Sequence, residues 1–154
     1  METTRPARDD DRPVCLELLA QALDGTRLAR GGAALVGVAT PQDVLARWMS
    51  PQSSLSTVYV GEFDHAVVGL AAATASSRRG ASELSGRIEC CYVEAGARGV
   101  GVGTALMESM VSWCAAVGCG DIDAPTLPGD RLSKQRLEAA GFSARLLVLN
   151  RRLN

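Results

Sequence analysis

The chain has 154 residues, 47% of them hydrophobic and 21% charged, with a formal net charge of −1. That length supports a single domain, 1–154, able to bury roughly two-thirds of the surface its unfolded chain exposes. Near-neutral charge argues against nucleic acid or an anionic membrane as the main partner, and no apolar run approaches the length of a membrane span.

Residues 3–8 read as a short edge strand, the place in a sheet where Pro6 is tolerated. Asp9, Asp10 and Asp11 then supply an N-cap and favourable charge for a helix with Pro13 in its first turn. Three consecutive acids also suggest a metal site, but a capping run with solvated charges is the simpler reading. Val14, Leu16, Leu18, Leu19, Ala22 and Leu23 form the helix's apolar face, with an expected end near Asp24-Gly25. From 25 to 40 the chain is rich in Gly, Ala and Arg and shows no period. Thr40-Pro41 starts a short helix running through Trp48, with Thr40 as N-cap.

Residues 57–63 and 66–75 are two strands around Asp64-His65, a two-residue hairpin turn. A polar loop, 76–82, leads to the central strand, 84–93. A helix over 104–117 carries Leu106, Met110, Trp113 and Val117 on one expected buried stripe. Residues 121–124 form a short strand. Asp130 caps a last helix over 131–140, ended by Gly141, and 144–153 is a final strand. The order β–αα–βββ–α–β–α–β describes an α/β (α+β) domain.

The chemistry centres on 88–106. Glu89 is the one charged side chain in the strand run Ile88 to Val93, and Arg98-Gly99-Val100-Gly101-Val102-Gly103 joins that strand to the helix at Thr104. Alternating glycines allow close approach to a ligand, helix-start N–H groups carry partial positive charge, and Arg98 adds a full one. Together they make a ready phosphate site. Walker A is excluded because no Lys-Ser/Thr pair follows. A dinucleotide loop requires Gly-x-Gly-x-x-Gly; here Gly103 comes one residue early, although Asp121 or Asp123 stands about 20 residues on. A helix start that merely tolerates glycine is the plain alternative.

Five cysteines without a Cys-x-x-Cys pair fit reduced thiols and a cytoplasmic location better than disulfides or a zinc site, and residues 1–11 are too charged for a secretory signal. One histidine, His65, removes most histidine-based catalytic and metal schemes; no metal is expected. Cys90 and Cys91 suggest a nucleophile but read better as small apolar strand residues.

The loop resembles the acyl-CoA-binding motif of the GNAT superfamily of N-acetyltransferases, Gln/Arg-x-x-Gly-x-Gly/Ala, with Arg98, Gly101 and Gly103 at its fixed positions. Residues 89–94 resemble the strand leading into it. Asp130 followed by Leu137 and Gly141-Phe142 resembles the family's last motif, Asn-x-x-Ala-x-x-x-Tyr-x-x-x-Gly-Phe. The resemblance implies a mixed, twisted sheet of six to seven strands with helices on both faces, opened into a V-shaped gap between the strands ending at Val93 and near Ile122. It implies acetyl-CoA or another acyl-CoA as co-substrate, and a small-molecule or protein amine as acceptor. The pantetheine would lie along Cys91, Tyr92 and Val93. The pyrophosphate would sit on Arg98, Gly99, Val100, Gly101, Val102, Gly103 and Thr104. Glu89 would be the general base. The tyrosine that often protonates the leaving thiolate is replaced by Leu137, so a water or Ser133 must serve, or the chain is a non-catalytic acyl-CoA sensor or interaction module. Lys134 and Arg136 are candidates for a CoA 3′-phosphate. A homodimer is compatible with this pattern.

Overall fold

The computed structural model describes residues 1–153. The elements are β1 (Glu2–Pro6), a 3-10 turn (Asp9–Asp11), α1 (Arg12–Leu28), α2 (Gly32–Val36), α3 (Pro41–Trp48), β2 (Ser56–Phe63), β3 (Ala66–Ser77), β4 (Leu84–Val93), a second 3-10 turn (Ala95–Ala97), α4 (Val102–Ala116), β5 (Cys119–Asp123) and α5 (Arg131–Ala139). The strands lie in the order β1-β2-β3-β4-β5, antiparallel except for the parallel pair β4/β5.

Local chemistry explains most boundaries. Thr40 Oγ1 accepts from the Asp43 amide at 3.2 Å and Pro41 opens α3; Asp130 Oδ1 accepts from the Ser133 amide at 3.1 Å at the start of α5. Asp64 and His65 both take positive φ (48° and 70°), which joins β2 to β3 in two residues and leaves His65 as a turn residue. Gly25 does not end α1, which runs to Leu28 and so enters the stretch that showed no period; α2 occupies part of the rest. The glycine that matters there is Gly32, where a Cβ would fall 1.6 Å from the Thr26 carbonyl oxygen.

Two cores lie on the two faces of the sheet. One packs Cys15, Leu18 and Leu19 of α1 and Val44, Leu45 and Trp48 of α3 against Val58, Val60, Leu70 and Ala72. The other packs Val102, Leu106, Met110 and Cys114 of α4 against Val68, Ala71, Ala73, Ile88 and Val93. The α4 stripe therefore steps by four; Cys114 is buried, while Trp113 and Val117 are only half-buried. Helix α4 sits close because glycines face it: a Cβ on Gly61 would meet Val102 at 2.5 Å, and one on Gly86 would meet Cys114 Sγ at 2.7 Å.

Three expectations change. The described sheet has five strands, not six to seven. Residues 144–153 contribute no strand among the described residues, because extended backbone is a strand only where it finds a pairing edge; Leu146, Leu147, Val148 and Leu149 stand 75–87% exposed. Nor are the three aspartates all solvated. Asp11 is buried, held by Arg5 Nη1 and Nη2 at 2.7 and 2.9 Å and by the Arg8 amide at 2.7 Å. These contacts, the Arg5 bond foremost, hold its carboxyl down at about 2. Arg5 also donates from Nε to Glu62 Oε1 at 2.8 Å, so one guanidinium ties β1, β2 and the start of α1.

Candidate functional site

Strands β4 and β5 pair only from Leu84 to Arg87 on β4 and from Cys119 to Asp123 on β5. Beyond Arg87 they part, and the β4 edge over residues 88–93 has no strand partner among the described residues. A cavity of about 560 Å³ opens there, walled by β4, the first turns of α4, Ala124-Pro125 and α5. This is the splayed gap that the motifs imply.

Glu89 sits at an irregularity in the β3/β4 ladder. Ala72 faces Cys90 and Ala73 faces Ile88, so Glu89 is the extra, unpaired residue of a bulge. A bulge re-aims the side chain it carries. Glu89 Oε1 accepts from Thr74 Oγ1 at 2.8 Å, and Oε2 lies 3.5 Å from Arg87 Nε. Its side chain is 26% exposed. It lines the 560 Å³ gap and also a second cavity of about 450 Å³, bounded by α3, the start of β2 and the end of β3. A carboxylate reached from both sides of a sheet edge can take a proton from a group on one side while that group attacks an atom on the other.

The glycine loop turns on positive-φ glycines. Gly99 and Gly101 hold left-handed φ of 87° and 91°. α4 starts at Val102 with no side-chain cap, so its first amides are without side-chain acceptors. Gly103 and Thr104 line the gap directly. Arg98 is anchored rather than free: its Nε donates to the Val93 carbonyl at 3.1 Å, and its guanidinium carbon lies 5.7 Å from the centre of the Tyr92 ring. Val100 is half-buried against the core, and Val102 is buried in it.

The strand residues divide by face. Cys91 lines the gap, Val93 is buried under α4, and the Tyr92 side chain turns to the other face, where its hydroxyl donates to Gln21 Oε1 at 3.0 Å. Tyr92 and Val93 are not part of the gap's lining; of the three, only Cys91 is. Desolvation raises the Cys90 thiol to about 12 and the Cys91 thiol, which is solvent-exposed at the mouth of the gap but crowded by protein atoms around it, to about 11. Both are therefore protonated at neutral pH and are poor nucleophiles.

On α5, Ser133, Arg136 and Leu137 line the gap. Arg136 Nη1 would lie 3.7 Å from a Cβ on Gly103, which puts a second cation beside the start of α4. Lys134 instead pairs along its own helix with Glu138 at 3.5 Å, on an exposed face. Asp121 and Asp123, the acids a dinucleotide site requires, are each bridged by both Arg78 and Arg145 at 2.6–3.1 Å. Ribose recognition loses its acceptor there. Sequence reading missed Thr74, Arg87 and Arg47, which lines the second cavity. Thr74 had a visible signal: it is the one polar residue in the run Ala71-Ala72-Ala73-Thr74-Ala75.

Comparison with known proteins agrees with this geometry. No curated protein matches the chain. Among solved structures, a transcriptional regulator from Bacillus halodurans C-125 aligns over 99% of this chain and 100% of its own, at 21% identity and TM-score 0.77. The aminoglycoside N-acetyltransferase AAC(6')-Iy in complex with CoA aligns over 99% and 95%, at 20% identity and TM-score 0.73. The glucosamine-6-phosphate N-acetyltransferase from Arabidopsis thaliana aligns over 100% and 99%, at 16% identity and TM-score 0.70. These likenesses establish the fold. The profile of the acetyltransferase (GNAT) family matches residues 34–142, well over half of the chain. With the splayed strands and the glycine loop at the start of α4, that match means the chain belongs to the acetyltransferase (GNAT) family.

Proposed function

We propose that the protein moves an acetyl or other short acyl group from acyl-CoA directly to an amine, with Glu89 as general base. The observation that carries this reading is the Glu89 carboxylate on the β4 bulge, shared by two cavities. The thioester would enter the larger gap, its pantetheine amides adding to the unpaired β4 edge as an extra strand does. Its pyrophosphate would meet the amides from Arg98 to Thr104, with the Arg98 and Arg136 charges beside them. The amine would come from the second cavity. Glu89 takes its proton, directly or through water, and the freed lone pair attacks the thioester carbonyl. The carbon–sulfur bond then breaks, and the thiolate takes a proton from water or Ser133, since Leu137 has none to give. A thiol with a pKa near 8.5 is a tolerable leaving group without a dedicated acid.

Glu89→Gln keeps the side chain's shape and removes the base. A loss of about 10²- to 10⁴-fold in kcat is expected, with CoA affinity retained because the phosphate contacts lie elsewhere. An unchanged kcat removes Glu89 from the mechanism. Leu137 in the gap is the one feature favouring a second reading, an acyl-CoA sensor without turnover. Tight CoA binding with no acylated product from any amine selects that reading.

The reading extends to assembly and location. Four consecutive apolar residues, Leu146 to Leu149, stand in solvent, which favours a homodimer that covers them; a monomer in sedimentation at tens of micromolar would reject it. The odd count of five cysteines, with no Cys-x-x-Cys pair, is the sequence feature that favours a reducing, cytoplasmic compartment. Among the described residues no helix is long and apolar enough to cross a membrane.

A further inference from the structure

We infer that the acceptor is a small amine whose far end carries an anion, a carboxylate or a phosphate, held by Arg47. This rests on the acyl-transfer reading above, which gives the second cavity to the acceptor. That cavity, about 450 Å³, is within the range of small-molecule sites, roughly 300–1,000 Å³. Its lining holds two charged side chains, Arg47 and Glu89. Glu89 is committed to the ammonium end, which it must deprotonate. Arg47, in the last turn of α3, is exposed at the cavity's rim and has no ion-pair partner among the described residues. The acid one turn before it, Asp43, takes the Thr40 hydroxyl at 2.8 Å instead.

Of the cavity's other polar side chains, Ser56 and Thr74 are bonded within the protein and Ser53 is not. Ser56 Oγ donates to the Trp48 carbonyl at 2.9 Å, and Thr74 Oγ1 donates to Glu89. Trp48 and Leu55 supply apolar wall. A ligand complementary to this lining is positive beside Glu89, negative beside Arg47 and apolar or neutral elsewhere. Guanidinium binds carboxylate and phosphate alike through paired N–H donors. A polyamine would instead set a second ammonium against Arg47, a like-charge contact that disfavours it.

The test is a set of matched acceptors with acetyl-CoA: glucosamine 6-phosphate against glucosamine, an ω-amino acid against its amide, and a polyamine. The anionic member of each pair is expected to have the higher kcat/KM, by about tenfold, mostly through KM. Arg47→Met keeps the apolar stem and should erase that preference, while Arg47→Lys should restore part of it. The phosphate and carboxylate arms separate the two anion types. Equal rates for neutral and anionic amines, or a preference untouched in Arg47→Met, would overturn the inference and leave acyl transfer standing. If no amine is acylated, acyl transfer itself falls. Calorimetric binding of glucosamine 6-phosphate and glucosamine to the CoA-loaded protein then decides the anion site: Arg47-dependent binding of the phosphate sustains it, and no binding of either rejects it.

Discussion

Asp11→Asn tests whether the buried Arg5–Asp11 pair fastens α1 to the sheet. In the native protein Asp11 is 8% exposed and accepts two bonds from Arg5 and one from the Arg8 amide. Its carboxyl falls from the ordinary 3.8 to about 2, which by linkage corresponds to about 2 kcal/mol of stability at neutral pH. Arg5 is a quarter exposed, and solvent screening there trims the figure to about 1.5 kcal/mol. Asparagine keeps the volume, loses the charge and turns an NH2 group toward a donor. The folded pKa lies below the unfolded one, so the contribution is full above about pH 4 and disappears as pH falls through about 2. Urea unfolding at pH 7 should therefore show the variant about 1.5 kcal/mol less stable, a fall of roughly 3–6 °C in Tm. By pH 3 the deficit should shrink to about half. A deficit below about 0.5 kcal/mol at pH 7, or one unchanged at pH 3, refutes the reasoning and reduces the pair to a surface contact.

Other expectations follow from the same geometry. CoA at 100 times its dissociation constant should stabilise the wild type by about 2.7 kcal/mol, and Gly101→Val should abolish this, because Gly101 has φ 91° and its backbone must meet the ligand; stabilisation by NAD instead of CoA in a thermal-shift assay would reverse the cofactor assignment. Gly61→Ala should cost about 1–3 kcal/mol in urea unfolding, since its Cβ would meet the buried Val102 at 2.5 Å; the same clash displaces the start of α4, so CoA affinity should fall with it. Leu137→Tyr places a phenol in the gap, and an increase in kcat measured with an identified acceptor would indicate that proton delivery to the thiolate limits the wild type.

Where a signal is local, it was readable in the chain. Thr40-Pro41 and Asp130 start helices through bonds that span three residues, and Asp64-His65 turns the chain by its own backbone preference. The glycine loop announced itself because close backbone approach requires the absence of Cβ, and the run Arg98 to Gly103 specifies both a family motif and a helix start. What tertiary structure decided is whatever depends on residues distant in sequence. Glu89 stands on a bulge where β3 and β4 slip by one residue at Ala72/Ala73, and no strand can record its partner's register alone. Asp11 looked solvated until Arg5, on a separate strand, was folded over it. The second cavity joins Arg47 of α3 to Glu89 of β4, 42 positions apart along the chain. Residues 144–153 carry an apolar run, Leu146 to Leu149, yet a strand also requires an edge to pair with. Hydrophobic pattern sets which residues prefer to be extended or helical; hydrogen-bond partners and burial, which are properties of the assembled sheet, set what those residues become.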